Sequence, residues 1–136
     1  CLIENHVHMT GANESEKKLF KKQASKDWEM ILLNRSNELI TGGRFVCVNF
    51  GIDEEGRCLG NTGGHIMFNN FAKNWKHLQQ QGVITNQEFI NATFTQHYRT
   101  VEEFRKPFDN KDSKVALVIK KVLYPYKKPV SIILSA

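Results

Sequence analysis

The sequence lacks the long apolar runs of membrane-spanning proteins and the signal peptide of secreted ones. The 136 residues contain no apolar run of about 18 or more and no signal-like start, so we expect a soluble chain of the cytoplasm. The three cysteines, Cys1, Cys47 and Cys58, have no CxxC spacing. Their odd number argues against a disulfide framework, and their spacing argues against a zinc site.

Motifs for phosphate binding and for catalysis are also missing. Neither GxGxxG nor GxxxxGKS/T occurs, although five glycines lie between Gly51 and Gly64. No Ser–His–Asp arrangement and no motif-held pair of carboxylates is present, so we assign no catalytic residue. His6 and His8 would share one face of a strand and could bind a metal, but no third ligand lies near them in sequence. We expect no metal site.

The net charge of +5 does not form a nucleic-acid-binding pattern. The lysines of the predicted first helix alternate with acidic residues and are typical of a solvated helix face, and no nucleic-acid-binding motif accompanies them. We therefore expect neither a nucleic-acid nor a membrane partner. A basic nucleic-acid-associated module remains an alternative.

The composition is that of one globular domain with a substantial core. Forty per cent of the residues are apolar and 24 per cent are charged, which are ordinary values. The first residue is Cys1 rather than Met, and Leu2-Ile3 could continue an earlier element. We therefore expect the chain to be part of something longer.

The stretch from Asp27 to Phe50 predicts an α/β fold. An amphipathic helix from about Glu14 to Leu39 is followed by a glycine pair, either of which can take the left-handed conformation that ends a helix. Phe45 to Val48 is an unbroken apolar run, typical of an interior parallel strand with helices on both faces. The apolar helix positions are Phe20, Ala24, Trp28, Ile31, Leu32 and Leu39.

The rest of the chain predicts a helical section and a return to strands. We expect a helix over 66–81 with an apolar stripe, short helices opened by capping boxes at Thr85 and Thr100, and a stop at about Lys106 before Pro107. Strands are expected over 114–124 and 130–134. The stripe of the 66–81 helix comprises Met67, Phe71, Trp75 and Leu78.

Three segments resemble the SABATH family of carboxyl methyltransferases, which use S-adenosylmethionine. WKHLQQQGVI resembles the family's helix ending in E-G-L-I, and FTQHYRTVEEF resembles its F-N-I-P-x-Y-x-P-S-x-E-E-V segment. The third segment resembles D-x-x-x-F-L-x-x-R-S/A-x-E-L followed by G-G-R. Its matching residues are Asp27, Ile31, Leu32, Arg35, Ser36, Glu38, Leu39, Gly42, Gly43 and Arg44.

The resemblance implies the C-terminal portion of a Rossmann-like class I methyltransferase sheet with an inserted α-helical cap. Residues 1–50 would belong to the core, 51–108 to the loop and cap, and 109–136 to the returning core strands. The donor, S-adenosylmethionine, would bind mainly outside this chain, so its contacts here are unknown and the chain alone is expected to be inactive. Without its partner strands we expect self-association around Phe45 to Val48, as aggregation or as a homodimer.

The implied reaction is O-methylation of a small-molecule carboxylic acid to its methyl ester. Alignment on the E-G-L-I glycine, Gly82, places Phe68 at a pocket-lining Trp of plant members and Met67 at its apolar neighbour. Met67 and Phe68 are therefore the predicted substrate-binding residues, with packing in the core of the cap helix as the alternative. A non-catalytic fragment acting as an interaction module is a second reading of the whole chain.

Overall fold

A computed structural model of the protein describes residues 2–58, 64–109, 113–115, 121–123 and 131–135. Helices and strands are both present, as the predicted α/β class requires. In chain order the elements are a 3-10 turn (Met9–Gly11), α1 (Glu14–Glu38), β1 (Arg44–Val48), α2 (Gly64–Gln80), α3 (Asn86–Asn91), α4 (Val101–Asp109), β2 (Lys121–Leu123) and β3 (Ser131–Ser135).

The chain divides into two compact units. The first comprises Cys1–Ala24 with Gly60–His97, and the second comprises Ser25–Leu59 with Tyr98–Ala136. Helix α1 contributes its first half to one unit and its second half to the other. The predicted division into core, cap and returning core stays a prediction.

Helix α1 begins and ends close to its predicted bounds. The Asn13 side chain accepts a hydrogen bond from the Glu16 backbone N–H (2.9 Å), and the Glu16 carboxylate accepts one from the Asn13 N–H (2.8 Å). This reciprocal pair satisfies two of the N–H groups that a helix start leaves open. Four of the predicted stripe residues, Phe20, Ala24, Trp28 and Leu32, are buried. Ile31 is 43 per cent exposed, so its predicted place in the stripe is wrong.

The glycine pair after α1 forms a turn that is separate from the helix end. The Gly43 N–H donates to the Ile40 carbonyl at 2.8 Å, and Gly42 has a φ of 80°. The predicted left-handed conformation is confirmed at Gly42, but the helix has already ended at Glu38. Gly42 is instead the third residue of a β-turn, where a positive φ favours glycine.

Strand β1 belongs to a three-stranded sheet in the order β1-β3-β2. Strand β3 is antiparallel to both neighbours, so β1 and β2 run in the same direction on its two sides. The prediction that β1 is a parallel strand buried on both faces is therefore wrong. Phe45 and Cys47 are half-buried, whereas Val46 and Val48 are 59 and 69 per cent exposed. An apolar run specifies strand formation but not which faces are covered.

The core of the second unit joins α1, α4 and β1. Buried Trp28, Leu32, Phe104 and Val115 form its centre, and Phe45 and Cys47 pack against them. The rings of Trp28 and Phe104 meet edge to face at 5.3 Å, and the Trp28 indole N–H donates to the Phe104 carbonyl at 3.0 Å. The apolar side of β1 that is covered is therefore the side facing α1 and α4.

Two further predictions are corrected near the end of the chain. Helix α4 continues through Pro107 to Asp109 instead of stopping at Lys106, because a proline in the last turn removes only one N–H donor and its ring is buried. Lys114 and Val115 are helical rather than extended. The predicted strand over 114–124 is confirmed at Lys121–Leu123, with 116–120 and Tyr124 outside the described residues. The last predicted strand is confirmed as β3, and Val130 lies outside the described residues.

None of the described helices is long and apolar enough to cross a membrane.

Candidate functional site

Helix α2 presents one buried and one exposed apolar row in the first unit. Phe68 and Ala72 are buried, with 4 and 7 per cent of their surface exposed. Met67 and Phe71, two of the four residues of the predicted apolar stripe, are 42 and 47 per cent exposed. In the first half of α2 the buried row is displaced from the predicted one by a single residue, which is about 100° around a helix, whereas Trp75 and Leu78 farther along are partly buried.

The C-terminus of α2 is fixed by a glycine motif. The Val83 N–H donates to the Leu78 carbonyl and the Gly82 N–H to the Gln79 carbonyl, both at 3.0 Å, and Gly82 has a φ of 70°. This is the hydrogen-bond pattern of a Schellman motif, with Gly82 at the predicted C′ position.

Helix α3 follows at once and is opened by the predicted capping box. The Thr85 hydroxyl accepts from the Glu88 N–H at 3.1 Å, and the Glu88 carboxylate accepts from the Thr85 N–H at 2.8 Å. The Thr85 hydroxyl also lies 2.9 Å from the Glu88 carboxylate and donates to it, and the two hydrogen bonds that this carboxylate accepts from Thr85 lower the pKa of Glu88. Lys76 of α2 lies 4.8 Å from the ring centre of buried Phe89 in α3, so the two helices share a cation–π contact.

The Phe68 ring lies flat against the imidazole of His8. The two ring centres are 3.6 Å apart and the ring planes differ by 2°. His8 is fully buried, at 0 per cent exposure, so this contact lies wholly inside the first unit. The stack therefore joins a polar and an apolar ring, His8 and Phe68, that are 60 residues apart in the sequence.

His8 is held by its neighbours in the N-terminal segment. Its Nδ1 accepts the Thr10 N–H at 3.2 Å and lies 3.1 Å from the Thr10 hydroxyl, while its backbone N–H donates to His6 Nδ1 at 3.1 Å. Burial, followed by the nearby His6 and His65, lowers the pKa of His8 from 6.5 to about 4. The imidazole is therefore neutral at pH 7, with Nδ1 available as an acceptor.

Phe94 completes an aromatic cluster with His8, Phe68 and Phe71. Its ring centre lies 6.0 Å from that of Phe68 and 6.2 Å from that of Phe71. The Phe94 N–H donates to the Val7 carbonyl at 2.7 Å, which brings Phe94 beside the His8 segment. Phe94 is 43 per cent exposed, so the cluster has a buried floor of His8 and Phe68 and an exposed surface of Phe71 and Phe94.

The N-terminal His6 is engaged in contacts within the first unit. His6 Nδ1 faces the His8 backbone and His6 Nε2 lies 3.2 Å from the Asn69 side-chain oxygen. Within the described parts of the chain, no group of three or more His, Cys, Asp or Glu side chains could hold a metal ion.

A second polar region lies beyond the carboxyl end of β1, in the second unit. The Ile52 N–H donates to the Arg99 carbonyl at 2.9 Å. The Arg99 guanidinium lies 5.8 Å from the Trp28 ring and 5.7 Å from the Phe104 ring, and its burial lowers its pKa. Cys47 lies near enough to Arg99 to interact electrostatically, although burial raises the pKa of the Cys47 thiol.

One protein-family model matches almost the whole chain. Residues 1–121 match the model of the SAM-dependent carboxyl methyltransferases. The chain belongs to this family. A search of curated proteins returned no match. As a SAM-dependent carboxyl methyltransferase chain, it is expected to act with S-adenosylmethionine as methyl donor.

The prediction that the donor site lies mainly outside this methyltransferase chain stays a prediction. Dinucleotide- and nucleoside-binding turns of α/β proteins use glycines that lie against the ligand and an acidic residue for the ribose. Beyond β1, the Asp53 carboxylate already accepts from the Arg57 backbone and guanidinium, both at 2.8 Å, and these contacts lower its pKa.

The predicted substrate-binding pair is split between surface and interior. Met67 is exposed on α2, whereas Phe68 is buried against His8. Their contact with a substrate stays a prediction. Sequence reasoning missed His8 and Phe94 as members of this cluster. The spacing of His6 and His8 suggested only a metal site, because nothing local in the sequence shows that His8 contacts Phe68.

Proposed function

We propose that this chain provides the acceptor-binding part of an enzyme that methylates a small-molecule carboxylic acid to its methyl ester. The observation that carries the proposal is the family match over residues 1–121. The acceptor's apolar body lies, in this proposal, on the face of α2 that presents Met67 and the rim of Phe68. The donor site lies mainly in residues that this chain does not contain.

The geometry of the aromatic cluster supports an apolar acceptor. Met67, Phe71 and Phe94 are each between 42 and 47 per cent exposed, and the Phe94 ring contacts both the Phe71 ring and the buried Phe68 ring. Apolar and aromatic side chains of this kind bind the body of a small ligand and exclude water from it, while a few polar groups orient its reactive end. The chain's contribution to the reaction is then binding and shape selection.

The chemistry does not require a general base from this chain. A carboxylic acid is ionised near pH 7, so its oxygen is already a nucleophile. Displacement at a methyl group mainly needs the two reactants to be held close and in line. A rigid apolar surface that fixes the acceptor meets this requirement without a catalytic triad.

The acceptor part of the proposal is tested by paired alanine variants on α2. In the complete protein, Met67→Ala is expected to raise KM for the acid severalfold and to change the order of preference among acids of different size. Ile66→Ala is the matched control, since Ile66 is a neighbouring residue that is 67 per cent exposed. Equal effects of the two variants, or none from Met67→Ala, would contradict the assignment.

The donor part is tested by thermal unfolding of the 136-residue chain with S-adenosylmethionine. We expect the melting temperature to stay unchanged at millimolar donor, since a ligand that binds only the folded state would raise it. A clear, saturable rise would show that the donor site lies within this chain and would overturn that part of the proposal.

A further inference from the structure

We propose that His8 is a positioning residue, whose neutral ring fixes the orientation of Phe68 and thereby the shape of the apolar acceptor surface. This inference rests on the proposed function, because it gives the acceptor surface of α2 a second residue on which it depends. His8 itself is fully buried and does not touch the acceptor.

The first step of the argument is that the His8 ring leaves Phe68 little freedom. The His8 ring lies flat over one face of the Phe68 ring, with ring centres 3.6 Å apart and planes 2° apart. The Phe94 ring, tilted at 59° and 6.0 Å away, approaches Phe68 as well. Rotation of the Phe68 side chain about its Cα–Cβ bond would break the flat contact, so the buried Phe68 ring keeps one position beneath the exposed rings of Phe71 and Phe94.

The second step is that His8 is itself held in one orientation. The Thr10 N–H and the Thr10 hydroxyl both lie within hydrogen-bond distance of His8 Nδ1, at 3.2 and 3.1 Å. The His8 backbone is tied to His6 Nδ1, and the neighbouring Val7 carbonyl accepts the Phe94 N–H. The N-terminal segment thus sets the imidazole plane, and the imidazole plane sets the Phe68 ring.

The third step is that this arrangement requires an uncharged imidazole. Protonation would place an N–H at Nδ1, directly facing the Thr10 N–H, and would bring a charge to a fully buried position. His6, from the same segment, and His65, on α2, are the titratable groups that face His8, and both oppose a positive charge there. A surface that depends on His8 therefore changes when His8 takes up a proton.

A binding experiment on the 136-residue chain separates this role from simple stability. The probe is methyl benzoate, a methyl ester with no ionisable group, and binding is followed by saturation-transfer NMR from pH 7.5 to pH 4, with circular dichroism at each pH to establish that the chain remains folded. His8→Phe keeps a flat ring and cannot titrate. His8→Ala removes the ring. His77→Gln, at the exposed last turn of α2, is the control for a histidine elsewhere on that helix.

We expect His8→Ala to weaken ester binding by about tenfold and His8→Phe to restore it. Binding by the unsubstituted chain and by His77→Gln should decline below about pH 5, whereas His8→Phe should bind equally well across the range. Unchanged affinity in folded His8→Ala, or a pH profile of His8→Phe that matches the unsubstituted chain, would overturn the positioning role. Absence of ester binding at every pH would overturn the proposed acceptor surface itself, and the role of His8 with it.

Discussion

At the scale of single residues, His8 makes the stability of the fold depend on pH. Its pKa is about 4 in the folded chain and 6.5 in the unfolded one, so the unfolded state binds the proton more readily between these values. The stabilisation is therefore fully present above pH 6.5 and is lost as the pH falls towards 4.

We predict that the free energy of unfolding falls by about 2 kcal/mol between pH 7 and pH 5 through His8 alone. Urea unfolding at the two pH values measures it. His8→Phe should remove most of this dependence, and His77→Gln should leave it in place. Equal pH dependence in His8→Phe and in the unsubstituted chain would contradict the assignment.

Trp28 provides a second prediction at this scale, because its indole N–H joins α1 to the backbone of α4. Replacement by 3-benzothienylalanine keeps the ring size but removes the N–H, so the buried hydrogen bond from the indole to the Phe104 carbonyl is lost. We expect a loss of about 1–3 kcal/mol in the free energy of unfolding.

The same replacement at Trp75 is the matched control for Trp28. The buried Trp75 indole nitrogen has no hydrogen-bond acceptor among the described residues, so nothing is lost there. Urea unfolding followed by circular dichroism compares the two proteins. A loss at Trp75 as large as that at Trp28 would show that ring substitution, rather than the hydrogen bond, lowers the stability.

Local chemistry made some of these residues predictable from the sequence. Thr85 and Thr100 cap helices through side chains that act within three residues of their own position, so the sequence alone was sufficient. The His8–Phe68 stack was not predictable, because it depends on contacts between distant segments that no local pattern encodes.

At the scale of secondary-structure elements, the end of α2 depends on one glycine. Gly82 has a φ of 70°, and a Cβ there would meet no atom within 4 Å, so a substitution acts through the backbone alone. We predict that Gly82→Ala lowers the free energy of unfolding by about 1–2 kcal/mol. Gly82→Asn should cost less, since Asn tolerates the left-handed region. Thermal unfolding of the two variants measures the difference, and an Ala variant as stable as the Asn variant would contradict the argument.

Sequence periodicity located the elements better than it located their faces. Helices α1 and α2 begin and end within two residues of the predicted bounds, because glycine and capping residues mark their termini. The buried row of α2 was misplaced by one residue, since apolar Met67, Phe68, Phe71 and Ala72 occupy two adjacent rows. Only packing decides which row is covered.

At the scale of the whole molecule, family membership was predictable and sheet geometry was not. The order of three sequence segments was sufficient for the family, and residues 1–121 confirm it. The antiparallel pairing of β1 with β3 joins residues about 90 apart, and an apolar strand is compatible with either direction. The Rossmann-like sheet, the helical cap, and self-association through exposed Val46 and Val48 stay predictions.

The central claim is that the protein makes methyl esters, and the chemical nature of its product tests this most directly. S-adenosylmethionine labelled in its methyl group is incubated with the complete protein and a set of small carboxylic acids, and the extracted product is treated with dilute base. We predict label in an extractable product that base converts to methanol, as an ester requires. Label that resists base, or no transfer to any acid, would contradict the account.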